Sequence, residues 1–157
     1  WASRKGAFGA IGRLSPSFVT QDGVVPRTRL PEVLTRIAEI GSRHGIAVAN
    51  VFHAGDGNLH PILLFDERDR EQLDRVVRAS EEILKLCVEM GGTITGEHGI
   101  GVEKMNLMPL LFSPGDLDLM RRVRDVFNPE GLCNPGKVFP TSRSCVELQA
   151  TRRTAAC

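Results

Sequence analysis

With 157 residues, 41% of them hydrophobic and 25% charged, the chain has room for one domain with a real core but not for that domain plus a complete nucleotide-binding one. Twenty Lys and Arg stand against 19 Asp and Glu, so no net field recruits nucleic acid or an anionic bilayer. No apolar run approaches the length of a membrane span, which excludes a transmembrane helix.

Residues 1–14 are weakly helical in pattern, and Ser15-Pro16 closes the segment because a residue before proline avoids the helical region. Ser17–Gln21 reads as a short strand ended by Asp22-Gly23. Leu30, Val33, Leu34, Ile37 and Ile40 then recur at helical spacing up to a glycine stop at Gly45. From Ile46 to Phe65 two β-prone runs flank Gly55-Asp56-Gly57, predicting a hairpin. Leu73, Val76, Val77, Ile83, Leu84 and Cys87 form one stripe of a helix over 68–90 that ends at Gly91-Gly92. Thr93-Ile94-Thr95 is expected to be a short strand. Ser113-Pro114 predicts the start of a further helix, which Asn128-Pro129 breaks. Residues 128–140 are rich in turn residues, and 142–157 lack periodicity and are expected to be a frayed, disordered tail. The order of elements suggests an α+β layer, an antiparallel sheet with helices on one face.

Cys87, Cys133, Cys145 and Cys157 form no C-x-x-C pair, which fits a reducing, cytoplasmic setting better than a disulfide framework. The chain opens on Trp1 without a signal-like segment, so it is expected to be the carboxy-terminal part of something longer.

Histidine is scarce, and three of the four lie in two glycine-rich turns. His53 ends one strand of the predicted hairpin and His60 is near the start of the next, so the pleat allows both imidazoles on one face. Cross-strand Cβ atoms about 5 Å apart suit two nitrogens on one metal ion. Gly55-Asp56-Gly57-Asn58 alone is an ordinary polar turn, and a single histidine beside it calls for no special role. Two histidines at its ends favour a polar site. Glu97-His98, set between Gly96 and Gly99, add a carboxylate and a third imidazole, and two histidines with a glutamate are a known metal set with open positions. If Glu97 is a ligand and the backbone there is extended, His98 points elsewhere and is left as a general base. The donor set suits zinc, manganese or iron.

The blocks FHAGDGNLHP (52–61), GGTITGEHGIGVEKMN (91–106) and FNPEGLCNPGKVFP (127–140) resemble, in order and spacing, the C-terminal domain of FAD-linked oxidases, the family of D-lactate, D-2-hydroxyglutarate and glycolate dehydrogenases. WASRKGAF, DGVVPR and VANVFHAGDGNLHPILLFD are most similar to its glycolate-oxidising members. The resemblance covers about residues 1–141. It implies a ferredoxin-like cap over the flavin of a preceding FAD-binding domain, with His53, His60 and Glu97 as metal ligands and His98 as catalytic base. It also implies that Arg4 binds the substrate carboxylate, as a bidentate donor suits a 2-hydroxy acid, and that Asn134 lies close to the FAD. Phe8, Thr20 and Ile62 stand where relatives acting on a long diacid offer polar groups, so a short acid is expected.

The cofactors so implied are FAD and a divalent metal. The implied partners are the FAD-binding domain, an iron–sulfur subunit of the oxidase and a small 2-hydroxy acid, at the inner membrane only through those subunits. This chain carries no G-x-G-x-x-G after a strand and so no flavin cradle of its own. Two other readings stay open on the residues alone: a metal-dependent hydrolase in which His98 activates water, and a non-catalytic cap.

Overall fold

The computed structural model describes residues 2–140, the first four as backbone only. The chain divides into two compact units at His98–Gly99. Unit one runs α1 (Ala2–Ile11), β1 (Ser17–Thr20), β2 (Gly23–Val24), α2 (Leu30–His44), β3 (Ala47–His53), β4 (Asn58–Phe65) and α3 (Arg70–Glu89), with a 3-10 turn at Arg27–Arg29 before α2. Unit two contains a 3-10 helix, Met105–Leu110, and α4 (Pro114–Phe127). The tail at 142–157, with Cys145 and Cys157, lies outside the described residues.

The sheet is antiparallel and four-stranded, with β4 at its centre. β3 pairs one edge of β4 from Ala47↔Leu64 to His53↔Asn58. β1 and β2 share the other edge in one continuous register, Thr20↔Ile62 and Gly23↔Leu59, so the gap at Gln21-Asp22 falls opposite Pro61 and His60.

Period-two alternation in β4 sends Leu59, Leu63 and Phe65 to one face. There they pack against Val33, Ile37 and Ile40 of α2 and Val76, Ala79, Ile83 and Leu86 of α3. Leu63 and Ile83 are fully buried, each contributing about 1.5–3 kcal/mol of transfer free energy. This is the expected helical layer. α2 stops at Gly45, whose φ of +64° is natural for glycine, and α3 starts on Asp69, whose carboxylate accepts the Gln72 N–H. The opposite face carries Ala49, Val51, Ile62 and Leu64, with Ile11 at the end of α1 packed on them. His53 and His60 share that second face, because each lies an even number of residues from those positions.

The strand expected at 93–95 is a single bridge, Thr93↔Val24. Gly92 passes so close to β2 that a Cβ there would lie 1.8 Å from the Val24 carbonyl oxygen. Beyond Ile94 the backbone N–H groups turn to the Asp22 side chain instead of a neighbouring strand.

In unit two, Ser113 and Asp116 form a reciprocal capping box at the start of α4, as Ser113-Pro114 predicts. The turn-rich segment after α4 is held through its carbonyls: Arg124 donates to those of Cys133, Asn134 and Lys137, and the Asn128 side chain binds both the N–H and the carbonyl of Cys133.

Candidate functional site

His53 and His60 come together on the second face of the β3–β4 hairpin. The connecting turn occupies 54–57, where the Asp56 and Gly57 N–H groups both donate to the His53 carbonyl. His60 sits directly opposite Val51 and His53 opposite Asn58, so the imidazoles meet diagonally, with ring centroids 5.5 Å apart in an edge-to-face arrangement. The Nε2 atoms of His53 and His60 lie 3.2 and 2.9 Å from one atom, Oε1 of Glu97. The predicted trio therefore converges on one point.

The protonation of His60 follows from its neighbour in sequence. The Gln21 N–H donates to the Pro61 carbonyl at 2.9 Å, and in a regular ladder Pro61 would return an N–H to the Gln21 carbonyl. Proline has none. His60 Nδ1 lies 3.3 Å from that carbonyl and fills the role. With Nδ1 turned to the Gln21 carbonyl, Nε2 is the atom left facing the Glu97 carboxylate oxygen, an arrangement that suits a cation between them. His60 is buried, whereas the Glu97 side chain is half-exposed, so a ligand can reach the site from solvent.

Asp22 is the residue that reading the sequence missed, taken there only as half of an Asp-Gly turn. It is fully buried. Oδ2 accepts the Thr95 hydroxyl at 2.7 Å and the N–H groups of Gly96, Glu97 and His98 at 2.8, 3.1 and 2.9 Å. Burial opposes its charge, but the Thr95 hydroxyl and the backbone N–H groups of His98, Gly96 and Glu97 outweigh that and hold the carboxyl well below the usual aspartate range. Register sets this carboxylate beside His60 where the edge strand is interrupted, a relationship hidden in the sequence because β2 is only two residues long.

His98 does not turn away from the site. The 96–98 segment is a loop wrapped on Asp22, so alternation along an extended strand does not apply. Its ring stacks on that of His60, with centroids 4.9 Å apart and planes inclined by 14°. Asp22, His60, Glu97 and His98 each present a donor atom within 4.8 Å of the others. Asp22 Oδ2 is committed to the loop, which leaves the two hairpin histidines, Glu97 and His98 as the remaining donors of the cluster.

Two predicted residues, Arg4 and Asn134, are described apart from this cluster. Arg4 is described only as backbone, in α1. Asn134 belongs to unit two. Its φ of +45° and its carbonyl bond from Arg124 give it a role in a tight turn, one that asparagine tolerates.

Sheet, glycine-bound loop and histidine–glutamate cluster define a class. The chain belongs to the FAD-linked oxidases: the family model for "FAD linked oxidases, C-terminal domain" matches residues 1–138. Among characterised proteins it is 48% identical over 150 residues to "Glycolate oxidase subunit GlcD" of Escherichia coli (strain K12), covering 96% of this chain and 30% of that protein. The protein of the same name from Bacillus subtilis (strain 168) is 36% identical over 137 residues, 87% of this chain and 29% of the relative. "D-lactate dehydrogenase [cytochrome], mitochondrial" of Arabidopsis thaliana is 31% identical over 142 residues, 89% and 25%. The chain thus spans less than a third of the length of these relatives. No helix among the described residues is long and apolar enough to cross a membrane.

Proposed function

We propose that this chain is the substrate- and metal-binding part of a flavin-dependent 2-hydroxy-acid dehydrogenase that oxidises glycolate or D-lactate to the 2-oxo acid. The observation that carries this reading is the convergence of His53 and His60 Nε2 on Glu97 Oε1, with His60 Nδ1 turned to the Gln21 carbonyl at 3.3 Å. A carboxylate and lone pairs aimed at one point suit zinc, manganese or iron. His53, His60 and Glu97 hold the ion, and Asp22 holds the loop that delivers Glu97.

An ion held by these residues would supply Lewis acidity toward a 2-hydroxy acid, and FAD bound elsewhere in the longer protein would supply the hydride-accepting chemistry. His98 takes the hydroxyl proton, the role suited to an imidazole beside but outside the ligand trio. Arg4 pairs with the substrate carboxylate and Asn134 lies toward the flavin. FAD is held mainly by a domain of the longer chain whose relatives are three times this length, and an iron–sulfur subunit takes the electrons onward. The whole works in the cytoplasm, touching the inner membrane through its partner subunits.

The preference for a short acid is supported by the side chains that share the face with His60. Val51 stands opposite His60, and Ile62, two residues along β4 from it, pairs with Thr20. Beyond them Phe8 and Phe18 pack ring to ring at 6.3 Å. None of these side chains carries a cation that would pair with a second carboxylate, which supports a short acid over a diacid.

The test is co-expression of the chain with the FAD-binding domain of its own full-length protein, followed by metal analysis and assay of glycolate, D-lactate and D-2-hydroxyglutarate with an artificial electron acceptor. About one divalent ion per chain, and oxidation of the two short acids in preference to the diacid, is the expected result. A metal-free complex that oxidises glycolate at full rate overturns the metal centre, and a complex that reduces its flavin with none of the acids overturns the activity.

A further inference from the structure

We infer that Asn58 is a positioning residue of the metal centre, fixing the Glu97 carboxylate in the orientation that the two histidines need. This rests on the metal reading of the site. Asn58 begins β4 directly across the ladder from His53, and it is 7% exposed. Its Nδ2 donates to Glu97 Oε1 at 3.0 Å, the same oxygen that His53 and His60 address. Glu97 lies on a loop and is half-exposed, so without a directing donor its side chain would sample several rotamers. A hydrogen bond to a ligand carboxylate removes that freedom in advance.

Two further observations single out the amide. Asn58 Oδ1 is buried and has no hydrogen-bond partner among the described residues. A buried carboxamide with half its capacity unmet is unfavourable for folding, so packing and stability do not account for an asparagine here. Turning the amide over would not help, because Oδ1 would then face the Glu97 carboxylate. Gly96 completes the arrangement: a Cβ on it would lie 2.8 Å from Asn58 Cγ and Oδ1 and equally close to Val24 Cγ2. Only a glycine lets the loop pass while Asn58 keeps its place under Glu97.

A residue kept for stability and one kept for the metal respond differently when the amide is removed. Asn58→Leu keeps the shape and discards both the donor and the unpaired acceptor; Asn58→Ser, smaller and still polar, covers the case in which leucine does not fit. The measurements are zinc affinity of the full chain by competition with a chromophoric chelator, the d–d spectrum of the cobalt-substituted chain, and thermal unfolding without metal. Either variant is expected to bind zinc 10–100-fold more weakly, with an altered cobalt spectrum. The metal-free melting temperature of Asn58→Leu should be unchanged or higher. Zinc affinity equal to wild type in a folded variant overturns the role of Asn58 while leaving the metal centre intact. A wild-type chain that binds neither zinc nor cobalt overturns both, and a metal-free melting temperature that falls in proportion to affinity makes Asn58 a structural residue.

Discussion

Asp22 Oδ2 accepts the backbone N–H of His98 at 2.9 Å, joining two residues 76 positions apart. The same oxygen takes two more backbone N–H groups and a hydroxyl, so one side chain holds the loop that carries Glu97 and His98 against the sheet edge. Asp22→Ala leaves those four donors without their acceptor and is expected to cost on the order of 3 kcal/mol. Hydrogen exchange should show the amides of Gly96, Glu97 and His98 losing protection while β4 keeps its own. Unchanged protection at those three amides would show that the loop is held by something else.

Pro61 gives a second, separable test. Pro61→Ala supplies the missing N–H to the Gln21 carbonyl, where it competes with His60 Nδ1. An added ladder bond of about 0.5–1.5 kcal/mol offsets the lost ring packing, so stability should change little. Nitrogen NMR of the imidazoles is expected to show His60 moving from the Nδ1–H form to a mixture of tautomers, with weaker zinc binding. A His60 that stays wholly Nδ1–H in the variant refutes the link.

The hairpin turn can be probed by two neighbouring glycines. Gly57 has φ +74°, and a Cβ there would lie 2.0 Å from the Val25 carbonyl oxygen, whereas Gly55 has no atom within 4 Å of its own. Gly57→Ala is expected to destabilise by more than about 1 kcal/mol and to disturb the pairing of β2 with β4. Gly55→Ala should fall within about 0.5 kcal/mol of wild type. Chemical denaturation of the two variants side by side measures the difference, and equal stabilities would contradict the close approach.

The long elements were legible because periodicity reports burial directly. The apolar spacing from Leu30 to His44 matches α2 to the residue, and the β3–β4 hairpin with both histidines on one face follows from alternation around Gly55-Asp56-Gly57. β2 and the course of 93–98 were not legible. Two residues are too few for a period, and the path of 93–98 is set by the buried Asp22 carboxylate, whose partners are distant in sequence. For the same reason the placement of His98 could not be read from strand alternation, while the convergence of His53, His60 and Glu97 could be anticipated from residue type.

Away from the site, acid stability tests the contact between α2 and α3. His44 Nε2 lies 2.8 Å from Glu82 Oε2, and Arg43 binds the other oxygen of that carboxylate. The hydrogen bond with His44 and, against some burial, the contact with Arg43 hold the Glu82 carboxyl below its ordinary value of 4.5. A depressed folded-state pKa contributes stability that is complete above that ordinary value and is lost as pH falls through the folded one. Wild type should therefore lose more stability between about pH 5 and pH 3 than Glu82→Gln does, by a small margin because the pair is exposed. Parallel pH profiles would show that the contact adds nothing.

His98 carries the sharpest expectation, because its ring stands against His60 and could serve as a fourth ligand as well as a base. The two roles separate on metal content. His53 and His60 aim Nε2 at Glu97 Oε1, and the hairpin fixes both, so on the proposed reading these three donors make up the ligand set without His98. An imidazole beside that trio is placed to take a proton from a hydroxyl held there. In the assembled enzyme His98→Asn is expected to keep its zinc and its flavin spectrum and to slow flavin reduction by about 10²–10⁴-fold, the usual cost of losing a general base. His53→Asn should lose metal and activity together. Rapid-mixing measurement of flavin reduction, with metal analysis of the same samples, checks both. A His98→Asn enzyme that reduces its flavin at the wild-type rate removes the proton-transfer role, and one that arrives without metal makes His98 a ligand.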